Sequence, residues 1–200
     1  MSEHYFSDTP TGPERRRTVP VELFGRTVTV QTANGVFSGD GLDKATAVLL
    51  REVPPPTGSP RILDLGCGWG PISLGLALAV PGAQLDAVDV NDRALALCRD
   101  NAARLGVDQR VRALRPEEVA ADLTYDQIWS NPPIRIGKAA LHDLLLRWLT
   151  RLTPDGVAYL VVGKNLGADT LARWLGDQGW ACSRISSAKG FRVLEVRPDN

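Results

Sequence analysis

Lys and Arg balance Asp and Glu at 23 each in this 200-residue chain, so no global field draws it toward nucleic acid or a membrane. The length suits a single domain with one well-buried core, and 44% hydrophobic with 23% charged residues is the make-up of an ordinary soluble globule. No apolar run approaches a bilayer span, and the polar N-terminus lacks a signal-peptide core.

Residues 1–18 are polar and proline-punctuated, with "ERRR" at 14–17, and read as an extended arm, either solvated or in contact with nucleic acid. "VPVELFGRTVTVQT" then alternates apolar and polar residues around Gly25, the signature of a β-hairpin. "GLDKATAVLLREV" has helical spacing, and "PPPTGSP" at 54–60 ends it. From Arg61 the pattern becomes regular. "RILDL" is a short buried strand, followed by a glycine loop and the apolar helix "PISLGLALAV". "QLDAVDV" is the next strand, and "NDRALALCRDNAARLG" a helix with Asn91 as N-cap and Gly106 just past its end. "RVRAL" and "YDQIWS" are strands, and "GKAALHDLLLRWLTRL" is an amphipathic helix stopped by "TPDG". "VAYLVVG" is a strand and "ADTLARWLGDQG" a helix, while "ACSRISSAKGFRVLEV" reads as two strands joined at Lys189 and Gly190.

Strands alternating with helices of this length mean βαβ units and a mostly parallel sheet. The final hairpin breaks the alternation and adds one antiparallel strand. The expected fold is therefore α/β, a Rossmann-like seven-stranded mixed sheet with a small N-terminal β-hairpin extension. All of 1–200 forms one domain on this reading, with arm, hairpin and helix over 1–60 and the core over 61–200. The three cysteines, Cys67, Cys98 and Cys182, form no CxxC pair, which fits reduced thiols in the cytoplasm and no metal site.

"LDLGCGWGP" sets Gly66, Gly68 and Gly70 in the turn after the first core strand, where glycines let a ligand approach the backbone. The spacing is G-x-G-x-G, unlike the dinucleotide G-x-G-x-x-G, and no Lys-Ser/Thr pair follows to make a phosphate loop. Asp89 closes the second strand, where a carboxylate can accept both hydroxyls of a ribose. Asp64 lies inside an apolar strand, and a buried carboxylate is costly unless a ligand amine or backbone amides satisfy it. A ligand with a ribose and an amine but no phosphate fits these two acids.

"LDLGCGWGP", "VDVN" and "SNPPIRIGK" together resemble the class I S-adenosylmethionine-dependent methyltransferases. More narrowly the chain is similar to the RsmC-like group, which methylates guanine N2 in small-subunit ribosomal RNA. "HYFS" at 4–7 and "GVFSGDGLDKAT" at 35–46 look like that group's lead-in, and "SSAKGFRVLEV" like its closing hairpin. The resemblance implies S-adenosylmethionine as cofactor, held by Asp64, Gly66, Cys67, Gly68, Gly70, Asp89, Val90 and Asn91. It implies catalysis by Asn131 and Pro132 and substrate contacts from Pro133, Ile134, Arg135 and Lys138. Ribosomal RNA or the small ribosomal subunit is the implied partner. Two features depart from the group. Ile134 stands where many nitrogen methyltransferases carry an aromatic residue after NPP, and only about sixty residues precede the glycine loop. The acid expected near the adenine is either Glu117 or Glu118.

An amine conjugated to a ring is a weak nucleophile, and two acceptors that take its hydrogens aim its lone pair. Asn131 offers a side-chain carbonyl and Pro132 a backbone carbonyl. Each precedes a proline, so each is held extended before substrate arrives. Positioning then supplies most of the catalysis, with no metal or strong base demanded. Arg135 and Lys138 suit flanking phosphates, or are simply solvated. His142 reads as a surface or boundary residue. The tryptophans read as core and boundary residues rather than stacking platforms, with Trp69 in the glycine loop the exception. The rival acceptors are a protein glutamine amide or a small-molecule amine. The rival class is a non-catalytic S-adenosylmethionine-binding module.

Overall fold

The computed structural model describes residues 13–199, so the "HYFS" stretch lies outside the described residues. Strands β1 (Arg16–Leu23) and β2 (Arg26–Ala33) pair antiparallel, turning through Phe24 and Gly25, both at positive φ. Positive φ at both turn residues matches the twist of the flanking strands, and glycine bears it without strain. The strand starts earlier than the sequence suggests. Arg16 and Arg17 belong to β1 rather than to an arm, and their guanidinium groups pair with Glu14 and Asp100 and with Asp40.

A seven-stranded sheet follows, made of β3 (Arg61–Leu65), β4 (Gln84–Val88), β5 (Val111–Leu114), β6 (Tyr125–Ser130), β7 (Leu152–Gly163), β8 (Trp180–Ala188) and β9 (Phe191–Pro198). Its order is β5-β4-β3-β6-β7-β9-β8, with β9 antiparallel to both neighbours and the other pairings parallel. The closing hairpin turns at Lys189 and Gly190, again both at positive φ. "TPDG" does not separate helix from strand as expected. It lies within β7, where pairing with β6 slips between Tyr125 and Gln127.

Helices α1 (Lys44–Glu52), α2 (Pro71–Ala79) and α3 (Asp92–Arg104) share one apolar cluster with the β1–β2 ribbon. Helices α4 (Lys138–Leu149) and α5 (Ala168–Asp177) pack in a second cluster. Within β3, Ile62 joins the first cluster and Leu63 and Leu65 the second, as the alternation of a strand requires. Burial of each such leucine or isoleucine stabilises the fold by roughly 1.5–3 kcal/mol. At Gly75, inside α2, a Cβ would stand 3.2 Å from the Phe24 ring and 3.4 Å from Leu23 Cβ. The missing side chain lets the ribbon lie directly on the helix, at about 1 kcal/mol of helix propensity.

Two further polar groups join these layers. Asn101 on α3 accepts the Gln31 N–H at 2.7 Å and donates to the Gln31 and Trp69 carbonyls at 2.8 and 3.2 Å. Asp86 in β4 is buried, yet Arg112 of β5 engages both its oxygens and the Tyr125 hydroxyl donates to it at 2.9 Å.

Candidate methyl-transfer site

Strands β3, β4 and β5 run to one side in chain order, and β6 then returns to the other side of β3. That reversal opens a crevice at the carboxyl ends of β3 and β6, the usual ligand position in such sheets. The Ser130 hydroxyl donates to the Leu65 carbonyl at 2.7 Å, so the two strand ends are locked side by side. Gly66 therefore sits next to Asn131.

Three glycines shape the loop after β3, with φ of 77° at Gly66, 55° at Gly68 and 98° at Gly70. A Cβ at Gly66 would meet no atom within 4 Å, so that edge of the loop is open. A Cβ at Gly70 would stand 2.8 Å from Cys98 Sγ, so glycine there serves packing as well as backbone conformation. Gly70 caps α2, and Pro71 takes the first helical position. The Cys67 thiol is buried and pushed well up by that burial, with the neighbouring Cys98 adding to the rise.

Asp64 is fully buried beneath this loop. Its Oδ2 accepts the Ser73 N–H at 3.0 Å and the Ser73 hydroxyl at 2.8 Å. Its Oδ1 has no hydrogen-bond partner among the described residues. Burial drives its pKa up to about 7, the Ser73 bonds oppose the rise, and Asp89 adds repulsion. Asp86 lies in an equally apolar strand but has Arg112 beside it, whereas Asp64 has no cation beside it among the described residues. At the end of β4, Asp89 accepts the Gly68 N–H through Oδ2 and the Asn91 N–H through Oδ1, both at 2.9 Å. Its pKa is raised by burial, against these amides and that of Val90. Val90 is exposed. The Asn91 side chain caps α3 through Oδ1 and donates to the Gly35 carbonyl at 2.8 Å, tying the 35–41 segment to the glycine loop's neighbour.

Asn131 follows β6. Its Nδ2 donates to Asp43 Oδ2 at 2.9 Å and to Thr46 Oγ1 at 3.1 Å, while no hydrogen bond from the described residues reaches its Oδ1. Pro132 is buried, and its carbonyl accepts the Ile134 N–H at 2.8 Å, a tight turn about Pro133. One lone pair of that carbonyl is thereby used and a second remains. Phe37, Asp43, Thr46, Gly66, Gly68 and Asn131 all line one cleft.

Arg135, in the 3-10 turn Ile134–Ile136 that follows NPP, and Lys138, the first residue of α4, are both exposed and have no ion pair among the described residues. Glu118 accepts the Arg115 N–H at 2.6 Å and Glu117 lies 3.7 Å from the Arg115 guanidinium, so both are engaged with that arginine. Trp69 is no stacking platform. Its side chain is wholly buried, because the loop turns it into the cluster beneath α3. His142 stacks on Trp174 at 3.4 Å between ring centres, joining α4 to α5 away from the cleft. Sequence reasoning missed Asp43 and Thr46. The available signal was an N-cap aspartate with a threonine three residues on, at the head of an apolar helix.

Residues 27–195 match the model of the methyltransferase small domain family. The chain belongs to that family. It is an S-adenosylmethionine-dependent methyltransferase of class I fold, and S-adenosylmethionine is its cofactor. Over 98% of its length it is 30% identical to the uncharacterized protein YbxB of Bacillus subtilis, of which it covers 99%. It is 34% identical to ribosomal RNA small subunit methyltransferase C of Shewanella amazonensis over 72% of this chain and 42% of that one. Among solved structures it resembles the Thermus thermophilus 16S rRNA N2 guanine methyltransferase RsmC, in complex with AdoMet and guanosine. That likeness has a TM-score of 0.79 and 25% identity, over 94% of this chain and 52% of that one. The chain thus spans about half the length of the RsmC-type relatives it matches. Among the described residues no helix is long and apolar enough to cross a membrane, and no cluster of metal ligands occurs.

Proposed function

We propose that this methyltransferase acts on a planar exocyclic nitrogen, and specifically on guanine N2 of small-subunit ribosomal RNA. The observation that carries the chemistry is the Asn131 amide. Its nitrogen end is engaged with α1, and its carbonyl end receives no hydrogen bond from the described residues, in the cleft shared with the glycine loop. The donor residues fit the cofactor. The orphaned Asp64 Oδ1 is a buried acceptor for a cationic amine, the open edge at Gly66 admits a close approach, and Asp89 has lone pairs left for ribose hydroxyls. S-adenosylmethionine supplies an electrophilic methyl group when bound. Asn131 Oδ1 and the second lone pair of the Pro132 carbonyl accept the two hydrogens of the acceptor amine. That arrangement turns the nitrogen lone pair toward the donor. Rigid positioning of two reactants is worth several kcal/mol of barrier, and the proton lost after transfer passes to solvent.

Support for the RNA acceptor comes from the relatives, one set named for small-subunit ribosomal RNA and one structure solved with guanosine. Arg135 and Lys138, exposed beside NPP, suit flanking phosphates. The whole chain is neutral, so such contacts are few and the assembled small subunit is the better substrate. The test is incubation with labelled methyl donor and four separate fractions: small subunits, free ribosomal RNA, protein and metabolites. Label on guanine N2 of ribosomal RNA is the expected result. Label only on a glutamine amide or a small amine overturns the RNA assignment and keeps the nitrogen chemistry. No label in any fraction favours a binding module.

A further inference from the structure

A carboxamide has nearly the same shape in either orientation, yet only one of them offers an oxygen to an amine. Proline stiffness fixes the backbone at Asn131 but cannot choose between the two. The choice is made from α1. Asp43 Oδ2 receives Asn131 Nδ2 at 2.9 Å, and also the N–H groups of Ala45 at 2.8 Å and Thr46 at 3.2 Å. Thr46, itself buried, adds its Oγ1 at 3.1 Å from Asn131 Nδ2. A carboxylate is an acceptor only, so a reversed amide would set oxygen against oxygen at Asp43. The same geometry acts on the charge distribution. Hydrogen bonds in a chain polarise one another, and donation into a carboxylate draws negative character onto the far carbonyl of the donating amide. The N-terminus of α1 meanwhile favours the negative charge of Asp43.

We infer that Asp43 is a positioning residue for methyl transfer, holding the Asn131 amide by its nitrogen so that a fixed and polarised carbonyl meets the acceptor amine. The inference rests on the role proposed for Asn131. As positive charge develops on the acceptor nitrogen, the carboxylate counters it through the amide without standing against the amine itself. An N-cap alone would not require aspartate, since serine and asparagine cap as well. Serine is one bond shorter, so it caps α1 but loses the span to Asn131. Asparagine keeps an oxygen at the Oδ2 position.

The experiment compares Asp43→Ser, Asp43→Asn, Asn131→Ala and Asp43→Ser with Asn131→Ala, using small ribosomal subunits as acceptor. Melting temperature and donor affinity should stay near wild type in Asp43→Ser, within a few degrees and about threefold. Its kcat should fall at least about tenfold, a loss that Asp43→Asn restores only in part, because the amide keeps the span and the acceptor oxygen but not the charge. Added to Asn131→Ala, Asp43→Ser should cost less than about twofold, because the two residues act as one unit. A wild-type kcat in Asp43→Ser, or an equal loss in both backgrounds, overturns the inference while leaving Asn131 in its role. An Asn131→Ala enzyme of full activity removes the Asn131 role first. Independently of any acceptor, the side-chain amide protons of Asn131 should move in an NMR spectrum and exchange faster in Asp43→Ser. An unchanged amide signal overturns the inference directly.

Discussion

The buried Asp64 makes a prediction whose size follows from its surroundings. Its carboxyl pKa stands at about 7 in the fold against an ordinary 3.8, chiefly through burial. A raised folded pKa means that the native state holds a proton the unfolded chain has released, so stability falls as pH rises between the two values. The contribution is fully present below pH 3.8 and lost once pH exceeds 7. Summed over the window it amounts to about 4 kcal/mol, and between pH 5 and pH 8 to roughly 2 to 3 kcal/mol. Asp64→Asn cannot titrate. Its amide can keep both Ser73 bonds through one oxygen but leaves a buried NH2 without a partner, a cost independent of pH of roughly 1–3 kcal/mol. The comparison of slopes cancels that constant. Urea unfolding followed by tryptophan fluorescence at several pH values, without cofactor, measures both proteins. Three of the five tryptophans are fully buried and report the global transition. Wild type should lose about 2 to 3 kcal/mol relative to Asp64→Asn from pH 5 to pH 8. Parallel stability curves would refute the reasoning, because they would mean that Asp64 is ionised in the fold at no cost.

Four other outcomes are expected. Asp89→Ala should weaken binding of S-adenosylmethionine by roughly 1.5 to 3 kcal/mol in calorimetry, the worth of charge-assisted hydrogen bonds. Asn131→Ala should lower kcat at least about a hundredfold in a single-turnover assay, with donor affinity nearly unchanged. Gly70→Ala should destabilise the fold by roughly 2 kcal/mol or more in thermal denaturation, since it combines φ of 98° with a Cβ 2.8 Å from Cys98 Sγ. Arg135→Ala should weaken RNA binding similarly across sequences and reduce the salt slope by about one unit, without changing donor affinity.

The strand and helix pattern was legible because the hydrophobic period changes cleanly at Arg61, and the glycine loop announced the ligand end of the sheet. The register slip in β7 was not. "TPDG" reads locally as a stop, and only pairing with β6 draws it into a strand. Trp69 misled for a related reason. A loop position suggests exposure, but the positive φ of its glycine neighbours turns the indole inward. Asp64 and Asp86 carry the same sequence signal, an acid in an apolar strand, and their difference lies in Arg112, which arrives from another strand. The contact between Asp43 and Asn131 spans 88 positions, which no local pattern encodes. The arginine run at 15–17 looked free, yet Arg16 and Arg17 find acids brought near by folding.

The bond pattern at Asn101 has a meaning beyond the latch it forms. A two-stranded ribbon has two open edges, each a template onto which another chain can add a strand. At Gln31 the outward N–H and C=O are both taken by the one Asn101 amide, as a neighbouring strand would take them. The side chain thus imitates a short piece of third strand and ends the ribbon there. Its loss would free the hairpin from α3 and expose an unpaired edge at once, making self-association during folding the first visible defect.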